Sequence, residues 1–286
     1  GAGNGLKIVV EANGGDLFID DTVRSWAYTN SSNNGPGNDS GTGGDVFLSA
    51  RDTITINGSI GTASYADGSR ANNGGNVSLS ADTGNIFVNE SIRTESVARR
   101  DDAGTGGDIT LLASNGDIQT TGLVAFSRAG NRANDGGTIR LTANNITTNN
   151  IVTRSTDTAG VTGDAGNIFL TASDRIVVEG AINANSSGSG NDGSLSLVGD
   201  RIDLTGGDSS VVVAAASLSP SSSSRPVNIG LSVPDDDDDD DDDNPPDSTA
   251  LNIWGTTLEA LEPVRDGITI GSSSTGSVDL FSGAIA

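Results

Sequence analysis

The densest chemistry in this chain is an unbroken run of nine aspartates, Asp235, Asp236, Asp237, Asp238, Asp239, Asp240, Asp241, Asp242 and Asp243, bracketed by Pro234 and Pro245-Pro246. Clustered carboxylates offer hard oxygen ligands to Ca2+, and they bind it more tightly when their loop is held in one shape. An organised calcium loop alternates ligands with other side chains around a glycine, and this run does neither. Like charges at every position repel one another and extend the chain. The expectation is an acidic spacer that takes up Ca2+ loosely, with a defined Ca2+ site as the sharper alternative.

Three further sets of residues could carry function. Phe18, Phe47, Phe87 and Phe169 fall on the outward positions of short strands, where rings could stack sugars or meet another chain; a loop folding back over them is the plainer account. Arg70, Arg100 and Arg132 recur in polar stretches and, with the repeats in register, would form a mixed-charge stripe with Asp101, Asp102 and Asp135. Solvated loop tips with weak ion pairs are the plainer account of these. Asp16, Asp45 and Asp108 stand beside glycine turns, and grouped carboxylates on one face are what a polysaccharide lyase or hydrolase would use. Their recurrence at one point of several repeats reads as corner capping. Trp26 and Trp254 lie near opposite ends, where they would cover an open core.

The elements that position these residues come from a repeat of about 30 residues, and such a period signals a stacked architecture. Gly44-Asp45-Val46-Phe47-Leu48-Ser49-Ala50 returns as Gly75-Asn76-Val77-Ser78-Leu79-Ser80-Ala81, Gly107 to Ala113, Gly137 to Ala143, Gly166 to Ala172 and Gly193 to Gly199. Alternation puts Val46, Leu48 and Ala50 on one face, and the equivalent trios keep the order large, large, small. A second strand carries Ile54 and Ile56, then Ile86 and Val88, then Ile176 and Val178, and a third apolar point recurs at Ile60, Ile92, Ile151 and Ile182. Three short strands per repeat, each followed by a bend, predict an all-β parallel β-helix (solenoid) in which equivalent strands stack at about 4.8 Å. A propeller or sandwich would need hairpin turns between matched strands, and none recurs. Polar excursions such as Ala66 to Asn73 and Arg99 to Gly106 are expected to protrude along one edge. The β-helix is read over 1–230, the acidic insertion over 231–247 and the last coils over 248–286, with a short helical turn near Glu259 to Pro263.

Composition narrows the chemistry. The chain has no His and no Cys, so it lacks the commonest general base, the commonest transition-metal ligand and any thiol. A net charge of −23 disfavours nucleic acid and anionic lipid surfaces. No stretch approaches the roughly 20 apolar residues of a spanning helix. Aromatics at 3% and hydrophobics at 34% are thin for a compact globule but suffice for a narrow, elongated core. The absence of Met is read as a processed product or excised segment.

The units Gly44 to Ile60, Gly75 to Ile92 and Gly166 to Ile182 pair a Gly-Gly-[Asp/Asn]-[Val/Ile]-x-Leu-x-Ala-like strand with a Thr-Ile-x-Ile-x-Gly-x-Ile-like one. They resemble filamentous-haemagglutinin-type large exoproteins, and are most similar to cyanobacterial members of the two-partner secretion family. The resemblance runs from residue 5 to about 230 and implies a right-handed β-helix, an outer-membrane transporter partner for export, and an extracellular or outer-surface location on a Gram-negative-type cell. The family's Asn-Pro-Asn-Gly type secretion motif is absent, so the resemblance implies a passenger segment.

These readings converge on a secreted or cell-surface structural and adhesive rod, non-catalytic, that self-associates end to end into fibres. No cofactor is required, and Ca2+ is the one ion expected to bind. The alternatives are a carbohydrate-binding adhesin module that takes a cell-surface glycan and, further off, a polysaccharide lyase or hydrolase.

Overall fold

The computed structural model describes residues 3–29, 39–207, 210–222, 225, 227–229, 250–253, 255–261, 263–271 and 278–280. Among the described residues the structure is all-β apart from one short helix, Gly255–Ala260, and 21 of the strands join one parallel sheet. Each repeat pairs with the next at matched positions. Val46–Ala50 lies beside Val77–Ala81 with Val46 against Val77, Leu48 against Leu79 and Ala50 against Ala81. Ile109, Leu111 and Ala113 continue that alignment, followed by Ile139 and Leu141, then Ile168 and Leu170, then Leu195 and Leu197. The sequence separation between hydrogen-bonded equivalents is 31, 32, 30 and finally 27 residues, so the repeat shortens along the chain.

The alternation explains why these segments are strands. Their inward residues, Val46, Leu79, Ile109, Ile139 and Leu170 among them, are buried in one continuous core. Burying a Val, Leu or Ile side chain is worth roughly 1.5–3 kcal/mol. The second-strand positions Ile54, Ile86, Ile118, Ile146, Ile176 and Ile202 stack in the same way, as do Ile60, Ile92, Leu123, Ile151 and Ile182 at the third point.

A fourth strand per repeat goes beyond the three expected. Ala27–Thr29, Ser64–Ala66, Ser96–Ala98, Ser127–Arg128 and Ser155–Thr156 form a separate five-stranded parallel sheet. Its inward residues are Ser and Ala, so no aliphatic alternation announces it. The serine hydroxyls are buried, and Ser64, Ser96, Ser127 and Ser155 each donate to a backbone carbonyl across the corner, those of Gly41, Asn72, Gly104 and Asn134. The polar excursions that follow do not simply protrude. Ala66, Ala71, Ala98, Ala103, Ala129 and Ala133 pack together as a second, alanine-only core, and Ala71, Ala103 and Ala133 bridge one another in parallel.

The Gly-Gly corners are tight because backbones stack almost in contact. A Cβ on Gly107, Gly137 or Gly166 would sit 2.0 Å from the carbonyl oxygen of the preceding repeat's glycine.

Strand order changes at the far end. Arg201–Leu204 pairs with Leu251–Ile253, which pairs in turn with Val227–Ile229, which pairs with Val278–Leu280. The segment that follows the acidic run thus lies between two strands that precede it in sequence. Strands recur beyond the run where the apolar signals at Leu251, Ile268 and Val278 place them. Thr257 of the helix anchors the join, accepting from the Leu204 amide at 3.1 Å and donating to the Ile202 carbonyl at 3.0 Å. Arg265 reaches back to the buried carboxylate of Asp192 at 2.6 Å.

Candidate functional site

The nine aspartates, Asp235 to Asp243, lie outside the described residues, as does Trp254. Among the described residues no group of three or more acidic side chains is placed to hold a metal ion, and no helix is long and apolar enough to cross a membrane.

The four phenylalanines divide between two columns of equivalent positions. Phe47 and Phe169 share one, separated by Ser78, Thr110 and Arg140. At about 4.8 Å per step, four steps put them roughly 19 Å apart. Phe18 and Phe87 share the other, with Thr55 between them. Phe18 is 63% exposed on the first repeat, and the other three are half-buried. Two are covered by cations: the Lys7 ammonium sits 4.6 Å from the Phe47 ring centre and the Arg140 guanidinium 4.0 Å from that of Phe169. The four rings do not form one platform.

The charged edge is in register, but with different membership. Arg70, Asp102 and Arg132 occupy equivalent positions in successive repeats, each one residue ahead of the bridged alanines. Arg100 stands two residues before Asp102 and outside that column. Arg70 pairs with Asp102 at 3.5 Å and is 60% exposed, a geometry in which an ion pair contributes little.

Asp16, Asp45 and Asp108 serve the stacking itself. Asp45 Oδ1 accepts the backbone N–H of Asn76 at 2.8 Å, Asn76 Oδ1 accepts that of Asp108 at 2.8 Å, and Asp108 Oδ1 accepts that of Thr138 at 2.7 Å. Asp16 does the same for Thr53 at 2.8 Å. Asn73, Asp135 and Asp164 form a parallel series on the other side of the Gly-Gly corner. Asn and Asp interchange because only a side-chain oxygen acceptor is needed.

One arrangement went unseen in the sequence. Tyr28 pairs in register with Tyr65 on the fourth-strand sheet, and Trp26 meets Tyr65 edge-on with ring centres 5.7 Å apart at 72°. Trp26 is 44% and Tyr28 59% exposed. Rather than covering the end of the core, the Trp26 indole lies over Gly61 of the following repeat, its Nε1 2.5 Å from where a Cβ there would stand, with the Arg24 guanidinium 4.7 Å above the ring. Tyr65 donates its hydroxyl to Glu95 Oε2 at 2.6 Å, and Glu95, whose side chain is 2% exposed, pairs through Oε1 with Arg93 at 2.5 Å. Burial first, then the Glu95 charge and its hydrogen bond, push the Tyr65 phenol well above its usual range, with Arg93 opposing. Beside the rings is a depression of about 110 Å³ lined by Tyr28, Tyr65, Ala66, Asp67, Val97 and Arg99. The signal was the recurring tripeptide Ala27-Tyr28-Thr29, Ser64-Tyr65-Ala66, Ser96-Val97-Ala98, in which small residues flank a varying outward one.

No family model, curated protein or solved structure matches the chain.

Proposed function

We propose that this chain is a non-catalytic structural and adhesive rod, a right-handed parallel β-helix of the two-partner secretion type, displayed outside a Gram-negative-type cell and joined end to end into fibres. The observation that carries this reading is the position-for-position parallel stacking of successive repeats, a pattern that a further repeat can continue. Ile8, Leu17, Ile19 and Val23 are only half-buried, whereas their partners in the next repeat, Val46, Ile54, Ile56 and Ile60, are all at 0%. Val10, in line with Leu48, is 37% exposed. At the opposite edge Ile268, in line with Ala216, is 42% exposed. A parallel strand edge with an apolar face beneath it is a template for another strand, and two different edges that fit head to tail generate an open filament. The commitment of Asp16, Asp45 and Asp108 to backbone amides supports a role without catalysis.

Electron microscopy of the purified chain, with and without Ca2+, tests the assembly. Filaments with a regular axial repeat are expected, and Val10→Lys, which places a charge on the uncovered edge, should shorten or abolish them. Isolated short rods at high concentration in both conditions would overturn it. A second reading, a carbohydrate-binding module, is favoured by the outward Trp26, Tyr28 and Tyr65 rings, the first two of them exposed and the third half-buried.

A further inference from the structure

We infer that the face made by Trp26, Tyr28 and Tyr65 is a binding site for a neutral saccharide. A rod needs no such site, so the inference goes beyond the structural role and names the ligand class of the second reading. Three rings stand together on one outer surface, Tyr28 directly in register with Tyr65 and Trp26 edge-on to it. Neither Trp26 nor the tyrosines belong to either buried core, and two of them are about half exposed or more. Neighbouring strands are about 4.8 Å apart, close to the length of one pyranose ring, so tyrosines on successive strands are spaced to meet successive residues of a sugar chain.

The polar groups suit hydroxyls. Arg99 and Asp67 lie 3.5 Å apart at the rim of the depression, 76% and 37% exposed, and offer donor and acceptor side by side. Adjacent sugar hydroxyls take such a pair without changing its charge. Both ion pairs at the site are internally neutralised, Arg99 by Asp67 and Arg93 by Glu95. On a chain of net charge −23, a polyanion is repelled before it arrives. The occupant is therefore neutral.

The rings are also held before any ligand comes. Tyr65 is fixed by the buried Glu95 carboxylate, and Trp26 packs against Gly61 with the Arg24 guanidinium 4.7 Å from its ring centre. A preorganised surface loses little freedom on binding. Beyond Val97 the same column continues as Arg128 and Thr156. The apolar stretch is thus a few residues long, far below the roughly 800 Å² per partner of a stable protein interface.

The test uses Trp254→Phe, which leaves Trp26 as the sole indole. Its emission is followed during titration with neutral β-1,4-, β-1,3- and α-1,4-linked glucose hexasaccharides. A saturable change with at least one of them is expected, weakened about fivefold by Tyr28→Ala, the fold-change that about 1 kcal/mol for one aromatic contact corresponds to. Saturation-transfer NMR on the unaltered chain reads the same contact through the sugar protons, independently of any variant's folding. No response by either method to any of the three up to about 10 mM, beyond the millimolar range of a single weak site, would overturn the inference, as would unchanged affinity in Tyr28→Ala. Filaments in the microscope alongside a silent titration would remove the saccharide site alone.

Discussion

Tyr65 and Glu95 face each other across a repeat boundary, with the phenolic hydroxyl donating to Oε2 at 2.6 Å while Arg93 holds Oε1 at 2.5 Å. A carboxylate buried in this way needs its partners, because an unpaired buried charge is strongly destabilising. The same pair fixes the one tyrosine ring that both Trp26 and Tyr28 approach.

Alkaline pH should expose this contact. Burial and Glu95 raise the Tyr65 pKa above its unfolded value, so the folded chain keeps a proton that the unfolded chain releases from about pH 10 upward. The stabilisation is present in full below that pH and declines as pH rises through the folded value. Denaturant unfolding between pH 9 and 12 should therefore show a decline that Tyr65→Phe reduces. At neutral pH the same variant should cost about 1.5–3 kcal/mol for the lost hydrogen bond to a charged group. Identical pH profiles for the two proteins would refute the assignment.

The Gly-Gly corners make a sharper forecast. Gly166→Ala puts a methyl 2.0 Å from the Gly137 carbonyl oxygen, whereas the nearest atoms to a Cβ on Gly122 are at 3.7 and 3.8 Å. The first should destabilise by about 2 kcal/mol or more through backbone displacement, and the second should change stability by under about 1 kcal/mol. Equal unfolding midpoints for the two would contradict the close stacking.

Asp108 distinguishes a structural acceptor from a working carboxylate. Asp108→Asn keeps the oxygen that receives the Thr138 amide and should leave stability within about 0.5 kcal/mol, while Asp108→Ala should cost about 1–2 kcal/mol. Thermal or urea unfolding reads both. A large loss in the Asn variant would mean that the charge itself matters.

The acidic run should act through charge. With a net charge of −23, replacing the nine aspartates by serine should raise the melting temperature at low salt and flatten its dependence on NaCl, because added salt screens the same repulsion. Calorimetric titration with Ca2+ should give weak, multiple uptake that the serine variant lacks. A melting temperature insensitive to both changes would mean that the run does not burden the fold.

Much of the architecture was legible where side chains announced it. Ile54, Ile86 and Ile118, like Val46, Val77 and Ile109, repeat an aliphatic signal at a near-constant interval, and the structure aligns them position for position. The fourth strand was not legible, because Ser64, Ser96 and Ala98 turn inward without being aliphatic. The candidate site went unread for a related reason: Tyr28 and Tyr65 are far apart in sequence, and only the register of that unannounced strand makes them neighbours. The phenylalanines failed as a group because an outward position alone says nothing about which column it belongs to. Phe47 and Phe169 share a column yet stand several strands apart.

The strand Leu251–Ile253 sits between Arg201–Leu204 and Val227–Ile229, and this has a consequence for how the molecule is completed. Most of the stack can grow in chain order, each new turn laid on one already in place. Val227–Ile229 has no seat of its own until a later piece of chain has threaded in beneath it. Synthesis or export that delivers residues in sequence therefore leaves the last level waiting, with the acidic segment spanning the delay, and zippering gives way there to a closure that must look ahead along the chain.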